Sequence, residues 1–266
     1  MNKEDVKKLA GNPKFISGIY NYCDRWCERC PLTSRCMNFA LVNEQFADQE
    51  THDITNEIFW QKLAETFQAT LDLLKETAER EGIDLDSLDI EEIAEEERLN
   101  EELTKNHQCC RAAKVYAKMV DNWFDSISDL FGQKEDELNS KVQLDLPNAD
   151  PAGVAASFEE AVQVIRWYQH QIYIKLMSAI RWRMREELEI LEEFPKDSDG
   201  SAKVALIAID RSMAAWGELR SHFLVREDVS LDMLGHLDRL RRTVEKVFPA
   251  ARSFIRPGFD KIDLNS

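Results

Sequence analysis

The sequence predicts an all-α fold, a multi-helix bundle, from three observations. Glycine and proline, which interrupt helices, number only nine and seven among 266 residues. Apolar residues recur at three- and four-residue intervals through several long segments, which is the period of an amphipathic helix. The alternation typical of β-strands occurs only briefly, at Val142, Leu144 and Leu146, and the prolines that follow indicate an extended linker there.

The first fifty residues are predicted to form two helices joined by a turn. Asn12 suits the N-cap position and Pro13 the first helical position, which predicts a helix over residues 13–28. Pro31 ends this helix, because a proline disfavours the helical conformation in the residue before it. A second helix is expected over residues 33–49.

The middle of the chain is predicted to form two further helices on either side of an acidic segment. The first covers residues 53–82 and ends at Gly82. Residues 84–102 hold ten acidic residues and one basic residue, which fits either a solvated helix or a mobile connection. The second helix is expected over residues 103–131, and residues 133–151 break its pattern. The predicted core positions of the two helices are Ile54, Ile58, Phe67, Leu71, Leu74 and Ala78 in the first and Val115, Met119, Trp123 and Ile127 in the second.

The C-terminal half is predicted to hold three helices. The longest covers residues 157–193, and the composition of residues 196–201 (KDSDGS) indicates a loop. Two more helices are expected over residues 202–224 and 230–248, with Ser230 as the N-cap of the second. One face of the longest helix is apolar and should point into the core: Phe158, Val162, Ile165, Ile172, Leu176 and Ile180.

These elements divide the chain into three predicted parts. Residues 1–50 form a cysteine-rich, metal-binding helical hairpin, and residues 51–248 form a helical bundle. Residues 249–266 form a C-terminal tail, whose apolar residues can dock but follow no helical period.

The overall charge limits the classes of partner. A formal net charge of −16 at pH 7 argues against binding to nucleic acid or to an anionic membrane surface. The N-terminus is polar, so no signal peptide is expected, and no apolar run approaches the roughly 20 residues that span a bilayer. We therefore expect a cytoplasmic protein with a redox or protein partner, while its oligomeric state is left open.

Four of the six cysteines lie within fourteen residues, at Cys23, Cys27, Cys30 and Cys36. Thiolates this close repel one another, and a bound metal ion or cluster offsets the repulsion. On the predicted first helix three sulfurs share one face, and Cys36 falls in the first turn of the next helix, where the helix dipole favours a thiolate. The sequence therefore predicts a metal centre in a helix–turn–helix cradle. Three neighbouring arginines are expected to offset part of its charge: Arg25, Arg29 and Arg35.

The spacing C-x3-C-x2-C-x5-C favours an iron–sulfur cluster of the [4Fe–4S] type. Structural zinc sites more often combine two separated C-x2-C pairs, whereas three cysteines fall within eight residues here, as in compact iron–sulfur motifs. Zinc is the alternative cofactor, and disulfides or free thiols are the remaining options. Radical SAM enzymes share the first part of this spacing, but Arg29 stands where they carry an aromatic residue, and the strands of their barrel are missing.

The segment GIYNYCDRWCERCPLTSRC, residues 18–36, resembles an N-terminal motif of bacterial helical proteins to which no activity is assigned. The resemblance covers about twenty residues. It implies a bacterial protein and brings no function with it.

Two adjacent cysteines, Cys109 and Cys110, lie on a predicted helix. Neighbouring residues on a helix point about 100° apart, so we expect one thiol in the core and the other at the periphery. A role as ligand or redox partner is the alternative.

A second metal site in the bundle is a weaker hypothesis. Di-iron carboxylate bundles carry Glu-x-x-His pairs, and none of the five histidines has a glutamate three residues before it. His170 is expected to be buried and hydrogen-bonded. Glu218 with His222, and Asp232 with His236, are expected to be surface pairs, although with His170 the first pair would be the ligands of such a site.

The sequence thus predicts an iron–sulfur protein for electron transfer or redox sensing. One alternative is a helical scaffold or interaction protein held by structural zinc. A second alternative is a metal-dependent, oxidase-like helical bundle, so whether the protein is an enzyme stays open.

Overall fold

Helices make up nearly all the regular structure of the computed structural model, which describes residues 3–46, 48–143, 151–189, 196–223 and 227–260. No residue within these ranges belongs to a β-strand, which confirms the predicted all-α class. Among the helices described there, none combines the length and the apolar composition that crossing a bilayer requires.

The α-helices are numbered here in chain order. In order they are α1 (Lys3–Ala10), α2 (Met37–Gln45), α3 (Gln49–His52), α4 (Glu57–Glu81), α5 (Ile90–Asn106), α6 (Gln108–Ser126), α7 (Ser128–Gln143), α8 (Pro151–Glu189), α9 (Asp197–His222) and α10 (Glu227–Val247). Short 3-10 helices occur at Ile19–Tyr22, Cys27–Arg29, Thr33–Arg35, Leu85–Ser87 and Ala251–Ser253.

The chain divides into two compact units. The N-terminal unit comprises the residues up to Glu97 together with those from Ile255 onward, and the bundle unit comprises Arg98–Phe254. The C-terminal segment therefore belongs to the same unit as the four clustered cysteines. The predicted boundaries after residues 50 and 248 stay predictions.

The core of the bundle unit forms where α8 packs along α9, with α6 and α10 packed against them. The predicted apolar face of α8 is confirmed, although the helix begins at Pro151 and not at residue 157. Burial of one large apolar side chain stabilises a fold by about 1.5–3 kcal/mol, so this face alone holds α8 firmly in the bundle. Five of its six positions are buried and Val162 is half-buried: Phe158, Ile165, Ile172, Leu176 and Ile180.

An aromatic cluster with one internal hydrogen bond lies at the centre of the bundle unit. Trp216 is fully buried, and its Nε1 donates to the hydroxyl of Tyr116 at 2.9 Å. The rings of Trp216 and Trp123 meet edge to face, with their centroids 4.9 Å apart. This bond joins α6 to α9 across a hundred residues of sequence and satisfies a donor that water cannot reach.

A Tyr116→Phe variant should therefore be less stable than the wild type. Its free energy of unfolding should fall by about 1–3 kcal/mol, because Trp216 Nε1 becomes a buried donor without an acceptor. Denaturant unfolding followed by circular dichroism measures this loss. The Trp216→Phe change is then made in both the wild type and the Tyr116→Phe variant. If it lowers the free energy of unfolding equally in the two, the hydrogen bond does not contribute to stability.

The predicted helix over residues 103–131 is wrong in its extent. It is interrupted at His107, whose Nδ1 accepts a hydrogen bond from the Cys109 amide at 3.2 Å and so caps the start of α6. A further break at Ile127 separates α6 from α7, which continues to Gln143 through part of the predicted linker; residues 144–150 lie outside the described part of the chain. Of the predicted core positions, Trp123 and Ile127 are buried, Met119 is half-buried and Val115 is 51% exposed.

The predicted loop over residues 196–201 is wrong, because these residues form the start of α9. Ser198 donates from its backbone amide to Glu186 Oε1 at 3.0 Å and from Oγ to Oε2 at 2.6 Å. A carboxylate of α8 thus provides a capping acceptor, because the side chain of the N-cap residue Lys196 offers none. Similarly, α10 begins at Glu227, so Ser230 lies buried within its first turn and is not the N-cap.

In the N-terminal unit, the predicted helix end at Gly82 is confirmed. Gly82 has φ +71° and caps α4 through backbone hydrogen bonds to Ala78 and Glu79. The helix begins at Glu57 and not near Asp53, because Asn56 accepts a hydrogen bond from the Ile58 amide at 3.0 Å. The predicted core positions before it and along it are largely wrong: only Ala78 is buried, and Ile54, Ile58, Phe67, Leu71 and Leu74 are exposed.

The acidic segment over residues 84–102 takes the solvated-helix form. After the 3-10 turn Leu85–Ser87, α5 runs over Ile90–Asn106 with most of its side chains exposed. Its exposed charges include an ion pair between Lys105 and Glu101 at 2.8 Å, spaced one helical turn apart.

Candidate metal centre

The four clustered cysteines lie on a succession of short turns, and the predicted helix over residues 13–28 is wrong. Cys23 ends the 3-10 helix Ile19–Tyr22, and Cys27 begins the next. Cys30 ends that second turn. Cys36 ends the third turn and is the N-cap of α2, which places it one position before the first helical turn where it was expected.

Long-range backbone contacts explain why no continuous helix forms here. The amide of Ile16 donates to the carbonyl of Arg35 at 3.0 Å, which brings the two ends of the cysteine segment together. Gly18 at φ +70° and Arg25 at φ +61° adopt left-handed conformations that an α-helix excludes. The chain therefore curves through the cysteines and does not present them as a straight row.

This curvature arranges all four cysteines around one pocket. All four are half-buried, and none forms a disulfide in the structure. Apolar and aromatic side chains make up much of the remaining lining: Ile19, Tyr20, Trp26, Phe39 and Phe259. The structure thus brings the four predicted cysteines to one pocket, on a different backbone from the one expected.

The thiols stand around the pocket and do not meet at a single point. Within the described residues, no three side chains of histidine, cysteine, aspartate or glutamate form a group that could hold one metal ion. The metal centre itself therefore stays a prediction.

The electrostatic environment of the pocket disfavours four free thiolates. Burial raises the pKa of Cys27, and the neighbouring thiols of Cys23, Cys30 and Cys36 raise it further. The effect of all three neighbours on Cys27 places their sulfurs within electrostatic reach of the Cys27 thiol. A cation within the pocket would reverse this balance and favour the thiolates.

The expected contribution of three arginines to this balance is not uniform. Arg25 lines the pocket. The Arg29 guanidinium stacks on the ring of Trp26, 3.9 Å from its centroid, and the Arg35 side chain is exposed. Of the three arginines, only Arg25 therefore lines the pocket.

The vicinal pair Cys109 and Cys110 was wrongly predicted to be split between core and periphery. Both thiols are fully buried in the bundle unit, because α6 packs against both α8 and α10 and so buries a wide face. Burial raises the pKa of Cys109 to about 11 and that of Cys110 to about 12. Both are therefore protonated at neutral pH, as expected for structural core thiols.

The hypothetical second site is not assembled among the described residues. His170 is exposed, which contradicts its predicted burial. His222 Nε2 is 3.6 Å from Glu218 Oε1, beyond hydrogen-bonding distance, and the buried His222 ring packs edge to face on Phe158. His236 Nε2 lies 2.8 Å from the backbone oxygen of Ala112 in the neighbouring helix α6, so the predicted surface pairing with Asp232 does not describe its main contact.

Sequence reasoning missed one contributor to the pocket. Phe259 lies more than two hundred residues from the cysteines and follows Pro257 and Gly258. A proline–glycine pair marks a turn, but no local signal says what that turn packs against. An aromatic residue directly after this turn is therefore the only feature of the sequence that points to a contact there.

Comparisons of this chain with protein-family models, with curated proteins and with solved structures found no match. The functional interpretation therefore depends on the chemistry and geometry of the cysteine pocket.

Proposed function

We propose that Cys23, Cys27, Cys30 and Cys36 hold an iron–sulfur cluster of the [4Fe–4S] type. We further propose that the protein uses this cluster in one-electron transfer or redox sensing with a protein partner. The observation that carries the proposal is the arrangement of four unpaired, half-buried cysteines around a single pocket.

The shape of the cysteine segment supports a multi-atom centre. A cluster is a body of several iron and sulfide atoms, so its cysteine ligands approach it from different sides. Three consecutive tight turns, each beginning or ending at a cysteine, curve the chain in this way around one pocket. Zinc would require all four sulfurs at about 2.3 Å from one point, a tighter arrangement.

The lining of the pocket supports a redox role. Apolar and aromatic side chains around a centre limit solvent access, and solvent access is one of the factors that set a reduction potential. A cluster whose irons are all ligated by cysteine has no open position for a substrate. Electron transfer and sensing are then the functions that its coordination allows, and both need a partner that exchanges electrons or reads the state of the protein.

The decisive experiment is metal and sulfide analysis of the full chain purified without oxygen. We expect about four iron and four sulfide per chain, with broad visible absorption that bleaches on reduction. A colourless protein that contains stoichiometric zinc and no sulfide would overturn the cluster assignment and favour the zinc-held scaffold.

A further inference from the structure

The C-terminal segment Ile255–Asp260 forms a compact turn within the same unit as the cysteine pocket. Its two ends are joined by Arg256 and Asp260, whose Nη2 and Oδ1 atoms are 3.0 Å apart. The Arg256 amide also donates to Asp260 Oδ2 at 2.9 Å, and the Phe259 amide donates to the Arg256 carbonyl at 3.2 Å. The Arg256 and Asp260 side chains are only 16% and 20% exposed, so this pairing is substantially shielded from water.

The backbone of this turn packs closely against apolar side chains of the cysteine segment. Gly258 has φ +77°, and a Cβ atom at this position would lie 2.7 Å from Ile16 Cδ1 and 3.2 Å from Ile19 Cδ1. Ile19 is only 1% exposed and also lines the cysteine pocket. Any other residue here would be strained by the left-handed backbone, and its Cβ would also have to displace the tip of the Ile16 side chain.

The residue after this contact forms part of the pocket wall. Phe259 lines it together with all four cysteines. The Arg256 guanidinium lies 5.0 Å from the centroid of the Phe259 ring and so helps to fix its position. One docked segment thus contains the Gly258 contact, the Phe259 ring in the pocket wall and the Arg256–Asp260 ion pair.

We infer that the segment Ile255–Asp260 is a strap that closes the cysteine pocket and controls access to the four sulfurs. This inference rests on the proposed function, since it identifies the segment that covers the same site. Because the strap docks on side chains that support the ligands, a centre that rigidifies the pocket also stabilises the docked strap, and the docked strap slows loss of the centre. The loading state of the pocket is thereby coupled to the docking of this segment.

The test compares Gly258→Ala and Phe259→Ala with a matched control, Gly82→Ala. Gly82 also has a positive φ, at +71°, but a Cβ there meets nothing within 4 Å, so the control carries the backbone cost without the clash. The readout is the rate at which iodoacetamide modifies each N-terminal cysteine, measured by mass spectrometry on the full chain. It is measured both as purified and after treatment with a chelator.

We expect both strap variants to react about tenfold faster than the wild type, which corresponds to roughly 1.4 kcal/mol of lost docking free energy. The Gly82→Ala control should react at the wild-type rate, and Phe259→Leu, which keeps an apolar cover, should react more slowly than Phe259→Ala. Equal modification rates in the strap variants and the wild type would overturn the inference. An equal acceleration in the Gly82→Ala control would overturn it as well.

The labelling rate reports access to the sulfurs whether they hold a cluster, zinc or nothing. A failure of the strap is therefore distinguishable from a failure of the cluster assignment, which the iron and sulfide content decides. Circular dichroism of each variant verifies that the helices are retained.

Discussion

A Cys27→Ser variant is expected to lose the proposed iron–sulfur cluster, with iron and sulfide per chain falling below about one tenth of the wild-type content. Cys27 is the cysteine whose pKa responds to all three of its neighbours, which places its sulfur within the electrostatic reach of the whole group. Serine supplies a harder oxygen ligand, which binds iron–sulfur clusters poorly. Visible absorption with iron and sulfide quantification measures the loss.

A matched control is a cysteine substitution outside the pocket. Cys109→Ala removes a thiol that is fully buried in the bundle unit and does not line the pocket. This variant should keep its full iron and sulfide content, although it loses some stability because a buried atom is removed. Full loading of Cys27→Ser would show that Cys27 is not a ligand, and loss of loading in Cys109→Ala would show that the readout reflects general instability.

A Trp216→Ala variant should lose about 3–5 kcal/mol of the free energy of unfolding, a large share of the stability of a typical domain. Trp216 has no exposed surface, packs edge to face on Trp123 and donates a hydrogen bond to Tyr116. Truncation leaves a cavity between α6 and α9 and removes the donor to the Tyr116 hydroxyl. Denaturant unfolding followed by circular dichroism measures the change.

The control for this prediction is Trp182→Ala on α8. Trp182 is 39% exposed, so its removal should lower the free energy of unfolding by less than about 1 kcal/mol. Comparable losses in the two variants would contradict the central role of the aromatic cluster around Trp216.

The cysteine site shows how far the sequence alone can go. Spacing within fourteen residues was enough to group Cys23, Cys27, Cys30 and Cys36, because a short segment limits how far its side chains can separate. The helical row on which they were placed was wrong. A backbone hydrogen bond between Ile16 and Arg35 and the left-handed residues Gly18 and Arg25 are incompatible with it.

In the bundle unit, the sequence alone also failed to locate the starts of two helices. His107 caps α6 through its side chain, and Glu186 caps α9 from a different helix. Neither residue belongs to the usual N-cap types, so N-cap preferences do not point to these two caps. The tertiary arrangement supplies the acceptors that helix starts need.

By itself, the sequence determined the all-α class, the end of α4 at Gly82 and the buried face of α8. These features depend on local signals: a helical period, a residue that tolerates positive φ, and the scarcity of strand patterns. Only the tertiary structure decided the curved cysteine pocket, the burial of both Cys109 and Cys110, and the position of Phe259 beside the four sulfurs. Each of these depends on contacts between residues far apart in sequence, whose free energy outweighs the modest local preferences of the chain.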